Sequence, residues 1–228
     1  MRFVAFQPFF VRIAKVHIPI NRTLSFGCCF AMNLIHRCLC QSASWRTVLE
    51  KFVVPWALRD VQLGEDVLEL GPGHGITTNL LRSRIPRITA LEIDSALANA
   101  LARRFQNTNV TVVEGDATVM PFHDGQFSGA ISLHMLHHVH SVDLQNRVFR
   151  EVWRVLRPGA VFVAIDSLDL RSVWMRLIHV GDTLVPVDPE TLGPRLESAG
   201  FSENLIETNP YAFRLHARRP VGTGSVSD

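Results

Sequence analysis

From residue 45 onward the chain alternates short apolar runs with stretches whose apolar residues recur at helical spacing. Trp45, Val48, Leu49, Phe52 and Val53 fit the helical period, which predicts an amphipathic helix over residues 45–60. "DVLEL" (66–70) is a compact apolar run ending in glycines and reads as a strand. "ITTNLLRSR" (76–84) suits a helix, and "RITALEI" (87–93) a second strand. Asp94 or Ser95 caps the next helix, in which Leu97, Leu101 and Phe105 form one stripe. The β-branched "NVTVVEG" (109–115) predicts a third strand and "FSGAISLHML" (127–136) a fourth. A helix follows with Leu144, Val148, Val152 and Val155 on one face, closed by Pro158 and Gly159 in "LRPGA". "AVFVAID" (160–166) is the fifth strand.

Strands that alternate with helices, each strand nearly continuous in apolar residues, predict a parallel sheet covered on both faces. Right-handed crossovers make it a doubly wound α/β fold. Toward the C-terminus, Asp188-Pro189 opens a helix carrying Leu192, Leu196 and Ala199 and stopped at Gly200, with Pro194 disturbing its first turns. "YAFRLHA" (211–217) alternates apolar and polar residues, as a final antiparallel edge strand would. One domain over residues 32–220 and a flexible tail over 221–228 account for this pattern.

Composition changes the picture only at the front. Hydrophobic residues make up 47% of the 228 and charged residues 19%, a globular balance. Six of the 23 basic residues (Arg2, Arg12, Lys15, Arg22, Arg37 and Arg46) precede the first carboxylate, Glu50, leaving 17 basic against 21 acidic residues in the body. The body therefore lacks a basic footprint for nucleic acid, and no apolar run approaches the ~18 residues of a membrane span. Residues 1–31 have no sustained period. They read as an atypical extension, with Met32 the expected working start in preference to a transit or membrane-surface leader. Cys28, Cys29, Cys38 and Cys40 fit no zinc spacing and leave the body without cysteine, as in a reducing, cytoplasmic compartment.

Chemistry concentrates at "VLELGPGHGITT" (67–78). A dinucleotide loop follows G-x-G-x-x-G, with its third glycine at a helix–strand contact. Here the glycines are Gly71, Gly73 and Gly75, and Ile76 stands where that pattern needs glycine or alanine. Glu69 would also repel a pyrophosphate arriving at the helix N-terminus. A cofactor with an ammonium and a sulfonium and no phosphate, S-adenosylmethionine, suits the carboxylate.

With "VLELGPGHG", "LEID", "EGDA" (114–117), "FSGAISLHMLHHV" and "VLRPGAVFVAID" in that order, the chain from about Trp45 to Ala217 resembles the class I S-adenosylmethionine-dependent methyltransferases. It is most similar to the small-molecule branch that includes quinone-biosynthesis enzymes. The resemblance implies a Rossmann-like, mostly parallel seven-stranded sheet with an antiparallel last strand. It implies cofactor contacts from Gly71, Gly73 and Gly75, with Glu69 near the amino group. Glu92, 21 residues after Gly71, would take both ribose hydroxyls, and Asp116 and Ala117 the adenine edge. The backbone of Leu133 would face the cofactor, and Ile93 would stack on the ring.

Methyl transfer needs alignment above all, and a general base only for a protonated acceptor. His134 and Asp166 are the candidate bases. His134, His137, His138 and His140 lie within seven residues but include no carboxylate or cysteine, and a strand-to-helix turn should splay them, so no metal is expected. His179 reads as structural. Val173, Trp174, Leu177 and Ile178, within Ser167–Val187, would roof an apolar acceptor or join the core. The expected activity is methyl transfer to a small, apolar organic acceptor, with neither nucleic acid nor a transmembrane segment involved. A non-catalytic protein of the same fold is the alternative, and an NAD-linked oxidoreductase is disfavoured by Ile76 and Glu69.

Overall fold

A computed structural model describes residues 38–168, 179–180 and 182–221. The expectations for residues 1–31 and for Val173, Trp174, Leu177 and Ile178 lie outside the described residues, as does most of the expected tail.

The leading helix runs as α1 (Ala43–Val48), a π-helical turn (Leu49–Val53) and α2 (Val54–Ala57). Ser42 caps it by accepting the Trp45 N–H. Pro55 explains the π-turn: it has no N–H for the Lys51 carbonyl and crowds it, so the preceding turn widens. The widened turn breaks the 3.6-residue phase and leaves Phe52, expected on the apolar stripe, 47% exposed.

Seven strands then form one sheet in the order β3-β2-β1-β4-β5-β7-β6. They are β1 (Asp66–Leu70), β2 (Arg87–Glu92), β3 (Val110–Glu114), β4 (Phe127–Leu133), β5 (Leu156–Ser167), β6 (Ser202–Thr208) and β7 (Ala212–Arg218). The first five pair in parallel. β7 runs antiparallel to both β5 and β6. The expected antiparallel last strand is present, but it is interior, and β6 forms the edge. β6 alternates half-buried and exposed positions and carries few apolar residues, a weak strand signal in sequence.

The strands bury both faces by the two-residue alternation of side chains. Leu68, Ala130, Phe162 and Ala164 join one core with Leu215 of β7. Helix α5 (Val142–Val155) and helix α6 (Pro189–Ser198) supply Val148, Phe149, Val152, Leu192 and Leu196 to it. Val67, Ile88, Ile131, Val161 and Val163 join the opposite core. There α1–α2 contribute Leu49 and Val54, α3 (Ile76–Leu81) contributes Leu81, and α4 (Ser95–Arg104) contributes Leu101. Asp94 caps α4, as expected, by accepting the Ala96 and Leu97 N–H groups.

Two boundaries differ from the pattern. β4 stops at Leu133, because His134 turns to φ +56° and donates its N–H to the Ile165 carbonyl at 2.8 Å. Helix α5 ends at Val155, before Pro158 and Gly159, which instead lie within β5 at an irregularity of the β4–β5 register. Pro194 is accommodated inside α6. Arg214 of β7 is buried, pairs with Glu207 of β6 at 2.6 Å and donates to the Arg59 carbonyl at 2.6 Å. That bond satisfies a carbonyl just past α2 and fixes the leading helix to the sheet.

A glycine in the central strand sets the distance between that sheet and the loop before β1. A Cβ on Gly129 would lie 2.9 Å from the Leu63 Cα and 3.0 Å from its carbonyl carbon, backbone atoms that cannot rotate away. Gly129→Ala is expected to cost about 2–3 kcal/mol by overpacking, read as a lowered denaturant midpoint at unchanged slope. A variant as stable as wild type would show that β4 and this loop separate easily.

Candidate active site

β1, β2 and β4 all run out toward a cavity of about 690 Å³ at their carboxyl ends. Ligands of open α/β sheets bind at such ends. Gly71, Gly73, Glu92, Ile93, Asp116, Ala117, Leu133 and His134 all line it. Residues from four separate turns of the chain thus meet on one surface. Glu69, Gly75 and Asp166 do not line it.

The loop after β1 shows why glycine recurs. Gly71 takes φ +63°, and a Cβ there would run into the Met135 side chain. Gly73 takes φ +54° with nothing within 4 Å of its would-be Cβ, so its backbone is open to a ligand. Gly75 does something else. A Cβ at this position would lie 2.5 Å from Leu101 Cδ2 of α4, so this glycine lets helices pack and is not a cavity contact. Gly75, expected to contact the cofactor, is not brought to the cavity wall with Gly71 and Gly73.

Two carboxylates sit behind and beside the loop. Glu92 closes β2, almost fully buried, and accepts the Gly73 N–H on Oε2 at 2.9 Å and the Asp94 N–H on Oε1 at 3.0 Å. Burial raises its pKa, opposed by those backbone donors. Each oxygen keeps a further lone pair for a cavity ligand. Glu69 is 2% exposed and lies beneath the loop, with Oε1 accepting the Thr77 hydroxyl in the first turn of α3 and Oε2 unpartnered. Burial pushes its pKa up to about 7, against the opposing hydroxyl bond, with Glu92 adding repulsion. The expected direct contact between Glu69 and a cofactor amino group is therefore not a feature of the cavity wall.

Around the adenine-side residues, Asp116 accepts the Thr118 N–H on Oδ1 at 2.7 Å, fixing its own turn while facing the cavity. Ile93 is 48% exposed at the rim, an apolar surface open to a flat ligand ring. Leu133 is nearly buried, and its backbone leads directly into His134.

The candidate bases separate. His134 lines the cavity, packs edge-on to Trp45 with ring centroids 5.3 Å apart, and meets the Ser167 hydroxyl at 3.3 Å through Nδ1. Burial lowers its pKa to about 4, with Asp166 opposing and His137 reinforcing the drop. At neutral pH its ring is uncharged and a weak proton acceptor. Asp166, the other candidate base, is fully buried. Its Oδ2 accepts the His137 N–H at 3.0 Å, and its Oδ1 pairs with His137 Nδ1 and accepts the Ser167 N–H at 2.7 Å. Burial is the largest influence and would raise its pKa, but its interactions with His137, His134 and the Ser167 N–H together outweigh this and hold it below the usual range. Asp166 is thus a buried anchor bonded to His137 and Ser167 and does not line the cavity.

The expectation that the turn splays its histidines also fails. The rings of His137 and His138 lie 4.2 Å apart, and His179 joins them at 5.7 and 5.6 Å. No spacing in the sequence links residue 179 to residue 137. The link is tertiary: Val185 donates its N–H to the His137 carbonyl at 2.9 Å, and buried Gln145 donates to the Leu136 and Val185 carbonyls at 3.3 and 3.0 Å.

Residues 68–164 match the family described as "Methyltransferase domain". The chain is similar to the fatty-acid O-methyltransferase of Mycolicibacterium smegmatis, 34% identical over 113 residues, which cover 49% of this chain and 40% of that protein. It thus spans less than half the length of that relative. It is also similar to the demethylmenaquinone methyltransferase of Tropheryma whipplei, 26% identical over 221 residues, covering 90% of this chain and 79% of the relative. A solved structure of a SAM dependent methyltransferase from Aquifex aeolicus shares the fold, with TM-score 0.61 and 20% identity over 76% of this chain and 93% of that one. No helix among the described residues is long and apolar enough to cross a membrane.

A carboxyl whose folded pKa is raised from 4.5 to about 7 weakens the fold as pH rises between those values, because only the unfolded chain ionises freely there. Glu69→Gln abolishes that loss. The variant is expected to gain stability relative to wild type from pH 5 to pH 8, by up to about 3 kcal/mol. Thermal unfolding at both pH values checks this; a difference independent of pH would mean that Glu69 is already ionised in the folded protein.

Proposed function

We propose that this class I S-adenosylmethionine-dependent methyltransferase domain moves the methyl group of S-adenosylmethionine onto a small, apolar organic acceptor. The observation that carries the reading is one cavity on which the open backbone of Gly73 meets the carboxylate of Glu92. Gly71 and Gly73 admit the methionine and ribose portions. Glu92 takes the ribose hydroxyls on its remaining lone pairs, a bidentate geometry that fits a diol. Ile93 stacks on the adenine ring, and Asp116 and Ala117 meet its edge. Glu69 contributes from beneath the loop, as negative charge under a cationic cofactor. The bound cofactor supplies an already activated methyl, and the protein's task is alignment and exclusion of water.

Apolar walls from Trp45, Leu49, Val139, Leu144 and Val148 favour an acceptor with substantial hydrocarbon surface. The names of the relatives, one acting on fatty acids and one on demethylmenaquinone, support this class. His134, which lines the same cavity beside Trp45 and Ser167, is assigned to the acceptor. With its low pKa it positions the acceptor by a hydrogen bond and does not act as a strong base.

Calorimetric titration of the full chain with S-adenosylhomocysteine, and separately with NAD, tests the cofactor. Micromolar binding of the first alone is expected; binding of NAD alone would overturn the reading. Glu92→Ala should weaken S-adenosylhomocysteine by about 2–4 kcal/mol through loss of two charge-assisted bonds. Glu92→Gln, which keeps an acceptor for the Gly73 N–H, should fall between. Turnover is read as S-adenosylhomocysteine released in the presence of a lipid and metabolite extract.

A further inference from the structure

The three histidines on the acceptor side of the cavity have the features of a metal centre. His137, His138 and His179 each offer a ring nitrogen, and these atoms all lie within 4.8 Å of one another. Nitrogens around tetrahedral zinc, at about 2.1 Å from the metal, stand roughly 3.4 Å apart, so the cluster needs only a small contraction. His137 and His179 are buried and His138 is half-buried, and all three border the cavity.

His137 carries the more telling detail. Its Nδ1 is held by the buried carboxylate of Asp166, and its Nε2 is buried without a hydrogen-bond partner. Metal-bound histidines commonly present this arrangement, with a carboxylate on one nitrogen fixing the tautomer and leaving a lone pair on the other. The approach of His179 is set too, since the strand-free segment following it is tied back to His137 and to Gln145 by the Val185 bonds.

We propose that His137 Nε2, His138 and His179 bind a divalent transition-metal ion of the zinc class, with Asp166 as the positioning residue behind His137. Three neutral imidazoles suit zinc or cobalt, and leave the fourth position open toward the cavity. The open position takes an oxygen, from water or from a hydroxyl or carboxyl of the acceptor. This second role rests on the methyl-transfer reading; metal binding itself does not. In that role the metal lowers the pKa of the bound oxygen group, which releases its proton to solvent. Its oxygen then forms the bond to the methyl carbon while the carbon–sulfur bond breaks, and that electron pair stays on sulfur as S-adenosylhomocysteine forms. The acceptor leaves as a methyl ether or ester.

The test is titration of the full chain with Zn²⁺ by calorimetry and with Co²⁺ by visible absorption, in the absence of cofactor. One ion per chain and the ligand-field bands of a low-coordinate Co²⁺ complex are expected. His138→Ala and His179→Ala should each weaken Zn²⁺ at least tenfold, and Asp166→Asn by about 10–100-fold. His123→Ala, an exposed histidine away from the cavity, should leave affinity unchanged. His179→Ala, on a connecting segment, keeps the test independent of any folding defect at His137, and circular dichroism confirms each variant is folded. Absence of the Co²⁺ bands, or Zn²⁺ affinity indifferent to His138→Ala and His179→Ala, overturns the proposal. Metal binding without S-adenosylhomocysteine binding would remove the methyl-transfer reading and leave the metal centre standing, and the converse result would do the reverse.

Discussion

A carboxylate buried beyond the reach of water must be surrounded by donors, and the ligand end of this fold is arranged around one that is. Asp166, at the end of β5, receives the backbone N–H of His137, the ring nitrogen of the same residue and the N–H of Ser167. An ion unpaired at that depth would cost several kcal/mol. The requirement therefore fixes where the turn after β4 can go. It holds the backbone and ring of His137, three residues past the left-handed His134. Ser167, next in the chain, approaches His134. The histidine-bearing side of the cavity is held in place by that one satisfied charge.

The opposite side of the cavity is governed by backbone approach. Gly71 and Gly73 clear the space in which a ligand can touch main chain, and Glu92 ties that loop to the end of β2 through the Gly73 N–H. Glu69, beneath the loop, stays buried with one oxygen unpartnered. A carboxyl in that position resists ionisation until positive charge comes near. The two acids in one motif thus have unlike environments: one lines the site and the other lies beneath it. Gly75 makes a similar point, since its partner is the packing of α4 and not the cavity.

Much of this was legible from residue order alone. Periodicity located β1 through β5 and helices α3 to α6, because parallel strands buried on both faces are nearly all apolar and their helices carry a single stripe. The cavity residues Gly71, Gly73, Glu92, Ile93, Asp116, Ala117 and Leu133 came from the family resemblance, and they meet because the chain direction of a parallel sheet brings strand ends together. β6 escaped because an edge strand with few buried side chains has little pattern to read, and its presence moved β7 from the edge to the interior. The π-turn escaped because it follows from the missing N–H of Pro55, which a helical window averages over.

What only the tertiary structure decided concerns side chains that meet across long separations. Sequence spacing could say that Glu69, Asp166 and four histidines stand near strand ends. It could not say that Glu69 and Asp166 point into packed protein, because one residue's burial depends on which helix covers it. Nor could it bring His179 to His137 and His138, a contact across some forty residues made by the bonds of Val185 and Gln145. The local pattern determined the sheet and the glycine loop. The three-dimensional packing determined which acids are solvated, which glycines serve packing and which histidines share one place, because those properties belong to pairs of residues that the chain order does not make neighbours.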